Sequence, residues 1–207
     1  MKAQKIALTG IMAAIICLLA PLSVPSGGIP VTLATFAVYI ISCIAEPKNA
    51  VSAVIKYILL GAAGLPVFSS FRGGFQVLAG ITGGYIIGYI PCALAVSLLV
   101  NKFPHKKFVY PLSMISGTAI CCVIGALWYA LQSDVSFSAA ITAGVLPFII
   151  GDMLKIAAAS VLGYTLRKRL NKIRSLYIWK SSEKNTRCLQ NRELPIFMQG
   201  AGCLPTE

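Results

Sequence analysis

The chain has 207 residues, of which 57% are hydrophobic and 12% charged, with a mean hydropathy of +0.80. A soluble domain carries about 25% charged residues, so the composition excludes one and points to an all-α integral membrane protein with a single domain in the bilayer. The net charge is +12, but nine of the 18 Lys and Arg residues follow Leu166 and most others flank apolar runs. That distribution describes membrane topology, not a phosphate-binding surface, and argues against nucleic acid as a partner.

The chain opens with Met1-Lys2-Ala3-Gln4-Lys5 before an apolar run. It resembles a signal peptide but lacks an A-x-A cleavage site, so the expectation is an uncleaved first helix. Six apolar runs have the length a bilayer requires, near 6–22, 31–46, 49–65, 77–100, 108–132 and 140–166. Pro21, Pro25 and Pro30, with Ser23, Ser26, Gly27 and Gly28, break the chain after the first run. Glu46-Pro47-Lys48-Asn49 joins the second to the third, and Leu65-Pro66 ends the third.

Small residues recur at helical spacing. Ala3, Ala7, Gly10 and Ala14 line one face of the first helix, and Gly80, Gly84 and Gly88 line one of the fourth. Such ridges allow close helix approach. The Gly80–Gly88 ridge reads as packing within the bundle. The first-helix ridge reads equally as packing or as a docking face for another membrane subunit. Lys56 falls inside the third run, and either snorkels to the interface or faces the protein interior.

With the N-terminus inside, the inner segments hold Lys2, Lys5, Lys48, Lys102, Lys106, Lys107 and Arg167-Lys168-Arg169. The outer loops hold only Arg72 and Asp134. This positive-inside pattern predicts six transmembrane helices with both termini cytoplasmic. Residues 1–170 form the membrane domain, and 171–207 read as a basic, disordered cytoplasmic tail.

The sixth run carries Asp152 and Lys155 in an otherwise apolar stretch. Each charge costs about 2.5–3.5 kcal/mol at a helix centre on insertion scales. Residues three apart share a helix face. The pair is then either a self-neutralising salt bridge or a site for a small molecule with an anionic group and hydrogen-bond donors. The loop Phe68-Ser69-Ser70-Phe71-Arg72-Gly73-Gly74 adds aromatic rings, a cation and paired glycines that permit close backbone approach. It can cap a cavity holding Asp152 and Lys155.

The seven cysteines form no C-x-x-C pair, and His105 is the sole histidine. Metal binding and Cys/His catalysis are therefore unsupported, and no cofactor is expected.

Together these residues resemble the BioY family, the biotin-specific S components of energy-coupling-factor (ECF) transporters. The resemblance covers about residues 5–170. It rests on Gly28-Ile29-Pro30-Val31-Thr32-Leu33-Ala34-Thr35, Leu60-Gly61-Ala62-Ala63-Gly64-Leu65-Pro66-Val67-Phe68, Arg72-Gly73-Gly74, Thr82-Gly83-Gly84-Tyr85 and Pro147-Phe148-Ile149-Ile150-Gly151-Asp152-Met153-Leu154-Lys155, in that order. The chain departs at Ala34, where the family often has Gln, and at Ile81, where it often has Pro.

The resemblance implies an S-component bundle that captures biotin from outside. It would work with a T-component membrane subunit and two ATPase subunits, and topple in the bilayer to release the vitamin inward. The chain has no G-x-x-x-x-G-K-[ST] loop, so ATP is used by the partners. Ala3, Ala7, Gly10 and Ala14 become the contact with the T component. For the ligand, Asp152 accepts from a ureido N–H. Lys155 donates to the carboxylate or to the ureido oxygen, and Arg72 meets the carboxylate. Phe68, Phe71, Tyr85 and Tyr39 are candidates for the apolar wall, and Thr32 and Thr35 add hydroxyls. From the residues alone, an S component for another vitamin and a stand-alone secondary carrier stay open. A membrane enzyme lacks an evident nucleophile–base pair.

Overall fold

The computed structural model describes residues 2–24, 31–104, 106–133, 151–170 and 172. The expected turn residues 25–30, His105, the first half of the sixth run and the tail from 173 lie outside them. The chain divides into two units, Met1–Thr165 and Leu166–Glu207. Of the second, residues 166–170 and 172 are described, and they are helical.

The first unit is a helical bundle. Its elements are α1 (Lys2–Leu19), β1 (Ser23–Val24), β2 (Val31–Thr32), α2 (Ala34–Ile44), α3 (Pro47–Ala62), a 3-10 turn (Ser69–Phe71), α4 (Phe75–Ala79), α5 (Gly83–Lys102) and α6 (Val109–Ser133). A further helix, α7, begins at residue 151. Helix α5 packs most extensively against α6, and also against α2 and α3. Helix α1 lies on α2 and α3.

Local chemistry explains the boundaries. Pro47 stands in the first turn of α3, where its missing N–H costs nothing. Gly64, at φ +103°, closes that helix and donates to Gly61 O at 3.1 Å. A side chain would be strained there. The second run is shorter as a helix than its apolar length suggests. Val31 and Thr32 pair with Val24 and Ser23 in an antiparallel ribbon, leaving α2 with 11 residues. The fourth run is likewise divided: α4 ends at Ala79, and α5 starts after Gly80-Ile81-Thr82.

Among the described residues, α5 and α6 are long and apolar enough to cross a membrane, each with a mean hydropathy of 1.8. Gln4–Leu19 and Ala34–Ile44 are shorter apolar helices.

The α5–α6 seam confirms the packing role of the fourth-run glycines. A Cβ on Gly84 would stand 2.2 Å from Trp128 Cβ, and one on Gly88 would stand 3.1 Å from Cys121 Sγ. Trp128 Nε1 donates to Gly80 O at 3.0 Å, so the same ridge also satisfies an indole in an apolar setting.

Lys56 turns inward to α1. Its ammonium donates to Thr9 Oγ1 and, at 3.5 Å, to Ile6 O. It therefore ties α3 to the first half of α1.

Candidate functional site

The bundle holds a cavity that is partly open to solvent. Its lining shows which helix ends meet. Ala20 follows α1, Thr32 ends β2, Ala34 and Thr35 open α2, and Tyr39 lies at its middle. Tyr57 lies late in α3, Tyr85, Ile86 and Tyr89 early in α5, and Thr118, Cys121 and Cys122 around the middle of α6. Asp152 and Lys155 come from α7. Thus α3 and α5 bring residues from the ends away from Lys48 and Lys102, while α2 and α6 also contribute from their middles. Lys48, Lys102, Lys106 and Lys107 flank the opposite helix ends.

Asp152 and Lys155 are joined. Lys155 Nζ lies 3.1 Å from Asp152 Oδ1, and their side chains are 12% and 11% exposed. Lys155 Nζ also donates to Thr35 Oγ1 at 3.4 Å. No described residue donates to Asp152 Oδ2. The spacing of three places both groups on one turn, and α2 supplies the hydroxyl that backs the ammonium. A pair this sheltered loses much of its hydration, so each added hydrogen bond counts.

Tyrosine hydroxyls supply further polarity. Thr118 Oγ1 donates to Met114 O at 2.8 Å, so Tyr39 is the donor in its hydrogen bond to Thr118. Ring faces around these hydroxyls form an apolar surface able to cover a flat heterocycle.

Six of the nine residues named from sequence meet in this cavity: Thr32, Thr35, Tyr39, Tyr85, Asp152 and Lys155. Three do not line it. Phe68 is fully buried but packs edge-on against Tyr57, with ring centroids 5.6 Å apart. It also fills the space over Gly61. Phe71 is 67% exposed. Arg72 is exposed and lines a neighbouring cleft. Of the four aromatic residues expected at an apolar wall, Tyr39 and Tyr85 line the cavity, whereas Phe68 packs behind it against Tyr57.

Sequence reasoning missed Tyr57, Tyr89, Thr118, Cys121 and Cys122. A signal existed for Tyr89: it stands four residues after Tyr85 in an apolar helix, on the same face. Tyr57 and Thr118 sit in isolation within apolar runs, and only packing selects them. Ala34, one of the two departures from the family pattern, lines the cavity. Ile81, the other, does not.

A strongly apolar helical chain with a charged, hydroxyl-rich cavity inside it is a membrane-embedded binding protein. The BioY family profile matches residues 1–172, and the chain belongs to that family. Membership makes it a transport protein, not an enzyme.

"Biotin transporter BioY" of Thermotoga maritima is 38% identical, over 77% of this chain and 93% of its own length. "Biotin transporter BioY2" of Lactococcus lactis subsp. cremoris is 31% identical, over 82% of this chain and 93% of its own. "Probable biotin transporter BioY" of Pyrococcus horikoshii is 34% identical, over 81% and 98%. The crystal structure of the S-component for biotin from an ECF-type ABC transporter superposes with a TM-score of 0.75. It covers 81% of this chain and 92% of that one at 24% identity, a likeness of fold.

Proposed function

We propose that the chain is the biotin-binding S component of an ECF-type transporter in a bacterial cytoplasmic membrane. The observation that carries this reading is the Asp152–Lys155 pair inside a tyrosine-walled cavity of a BioY-family chain.

The roles follow from the ligand's chemistry. Biotin offers two ureido N–H donors, a carbonyl, an apolar sulfur ring and a carboxylate tail. Asp152 accepts from a ureido N–H through its unengaged oxygen. Lys155, steadied by Thr35, donates to the ureido oxygen or the carboxylate. Tyr39 and Tyr85 cover the rings, with Tyr57 and Tyr89 beside them, and Thr32 adds a hydroxyl. Arg72, in the neighbouring cleft, meets the carboxylate as the ligand arrives. Phe68 acts by holding Tyr57, and Phe71 covers the outer surface.

The membrane domain comprises residues 1–170 and spans the bilayer six times with both termini cytoplasmic, so the cavity faces outward. The placement of Lys48 and Lys102 at the ends of α3 and α5 away from the cavity supports that orientation. Residues 171–207 form a cytoplasmic extension with no part in ligand binding. Ala3, Ala7, Gly10 and Ala14 form the contact with the T component. Two ATPase subunits supply the energy. Exposure of Ala7, Gly10 and Ala14 on α1 supports this assignment.

Equilibrium binding of labelled biotin to the purified chain tests the reading, with dethiobiotin and thiamine as competitors. Competition by dethiobiotin and not by thiamine is expected. A folded, monodisperse sample that binds no biotin overturns it.

A further inference from the structure

Arg72 stands apart from the binding pair yet next to it. The cleft it lines also contains Gln76, and it shares Ser69 and Thr82 with the main cavity. These two hydroxyl residues therefore form a common threshold. Arg72 and Lys155 are the two cations on the combined lining. Among the described residues, the carboxylate of Asp152 pairs with Lys155, and Arg72 has no ion-pair partner.

The loop that carries Arg72 is firmly held. Phe68 N donates to Arg72 O at 2.9 Å, and Arg72 N donates to Ser69 O at 3.3 Å. Between them Ser70 and Phe71 both have φ +57°. Two adjacent non-glycine residues stay in that region only when their surroundings hold them. Ser70 N donates to Ser23 Oγ at 3.1 Å and to Pro21 O at 3.2 Å, and the Ser23 and Ser70 hydroxyls are 3.0 Å apart. On the far side, a Cβ on Gly73 would stand 2.3 Å from Leu65 O, so only glycine allows the loop to lie this close. Arg72 is thus presented from a fixed backbone.

We infer that the Arg72 cleft is an encounter subsite for the ligand's carboxylate, distinct from the Asp152–Lys155 site and preceding it. The inference rests on the proposed carboxylate-bearing ligand. An incoming anion pairs first with the exposed guanidinium, within reach of the Gln76 amide. It then crosses between Ser69 and Thr82 into the tyrosine-walled cavity. An exposed charge at a mouth acts on the association rate and its salt dependence, whereas a sheltered hydrogen-bonded charge acts on the dissociation rate. Arg72 and Lys155 therefore divide capture and retention between them.

The test is stopped-flow binding of biotin and of its carboxamide to the full chain in zwitterionic nanodiscs, at low and high salt. For Arg72→Gln, the biotin association rate falls about tenfold at low salt. The gap from wild type closes at high salt, and the dissociation rate stays within about twofold. Arg72→Lys retains the fast association. The carboxamide associates equally with wild type and Arg72→Gln. An unchanged association rate in Arg72→Gln overturns the encounter subsite, as does a change confined to dissociation or an equal loss with the carboxamide. If wild type itself does not bind biotin at equilibrium, the functional reading fails instead.

Discussion

Lys155 Nζ lies 3.1 Å from Asp152 Oδ1, one helical turn away, and both side chains line the same cavity. The contact neutralises the pair. It also leaves each group with unused capacity: a second carboxylate oxygen on Asp152 and the remaining ammonium protons on Lys155. A salt bridge that faces a cavity is open to a ligand in a way that one packed between helices is not.

The first prediction concerns that pair. Asp152→Asn and Lys155→Ala each lower biotin affinity about a hundredfold, roughly 3 kcal/mol, because each leaves a sheltered partner unpaired. The double variant loses less than the sum of the two. Equilibrium titration of the three variants measures both effects. Near-normal binding by the single variants sinks the assignment of roles.

Lys56 permits a test of a cation that loses one of its two acceptors. Thr9→Val removes the hydroxyl that Lys56 donates to and lowers stability by about 1–3 kcal/mol. Lys56→Met, which removes the donor itself, has a much smaller effect. Thermal unfolding in detergent compares them. An unchanged stability in Thr9→Val would show that the α1–α3 hydrogen bond contributes nothing.

At the α5–α6 seam, Gly84→Ala places a methyl group 2.2 Å from Trp128 Cβ. Overpacking of this kind costs about 1–3 kcal/mol. The expected result is a lower melting temperature with weakened biotin binding, since Tyr85 is the next residue and lines the cavity. An unchanged melting temperature would show that the seam opens freely.

Gly10 offers the opposite case, because a Cβ there meets nothing within 4 Å. Gly10→Leu keeps the melting temperature and biotin affinity of the isolated chain, while co-purification with the T component falls. Retained co-purification moves the docking face elsewhere.

The charged pair, the apolar runs and the glycine ridge were legible in the sequence because each rests on short-range chemistry. A charge in an apolar stretch is costly whatever the fold, and three-residue spacing sets a shared face. The walls of the cavity were less legible. Phe68 and Tyr57 are both aromatic residues in apolar surroundings, and nothing local says which faces the ligand. The contact of Phe68 with Gly61 and Tyr57 decided that. The second run likewise reads as one long helix until Thr32 pairs with Ser23 across the chain.

The sequence by itself therefore determined an all-helical membrane protein and the pair at the centre of its site, since burying charge and apolar surface is governed by composition and period. Only the tertiary structure decided that Tyr57 and Tyr89 join Tyr39 and Tyr85 at the cavity while Phe68 does not, that Thr35 backs Lys155, and that Arg72 lines a separate cleft. These depend on which helix ends meet, a matter of long-range packing that no local pattern encodes.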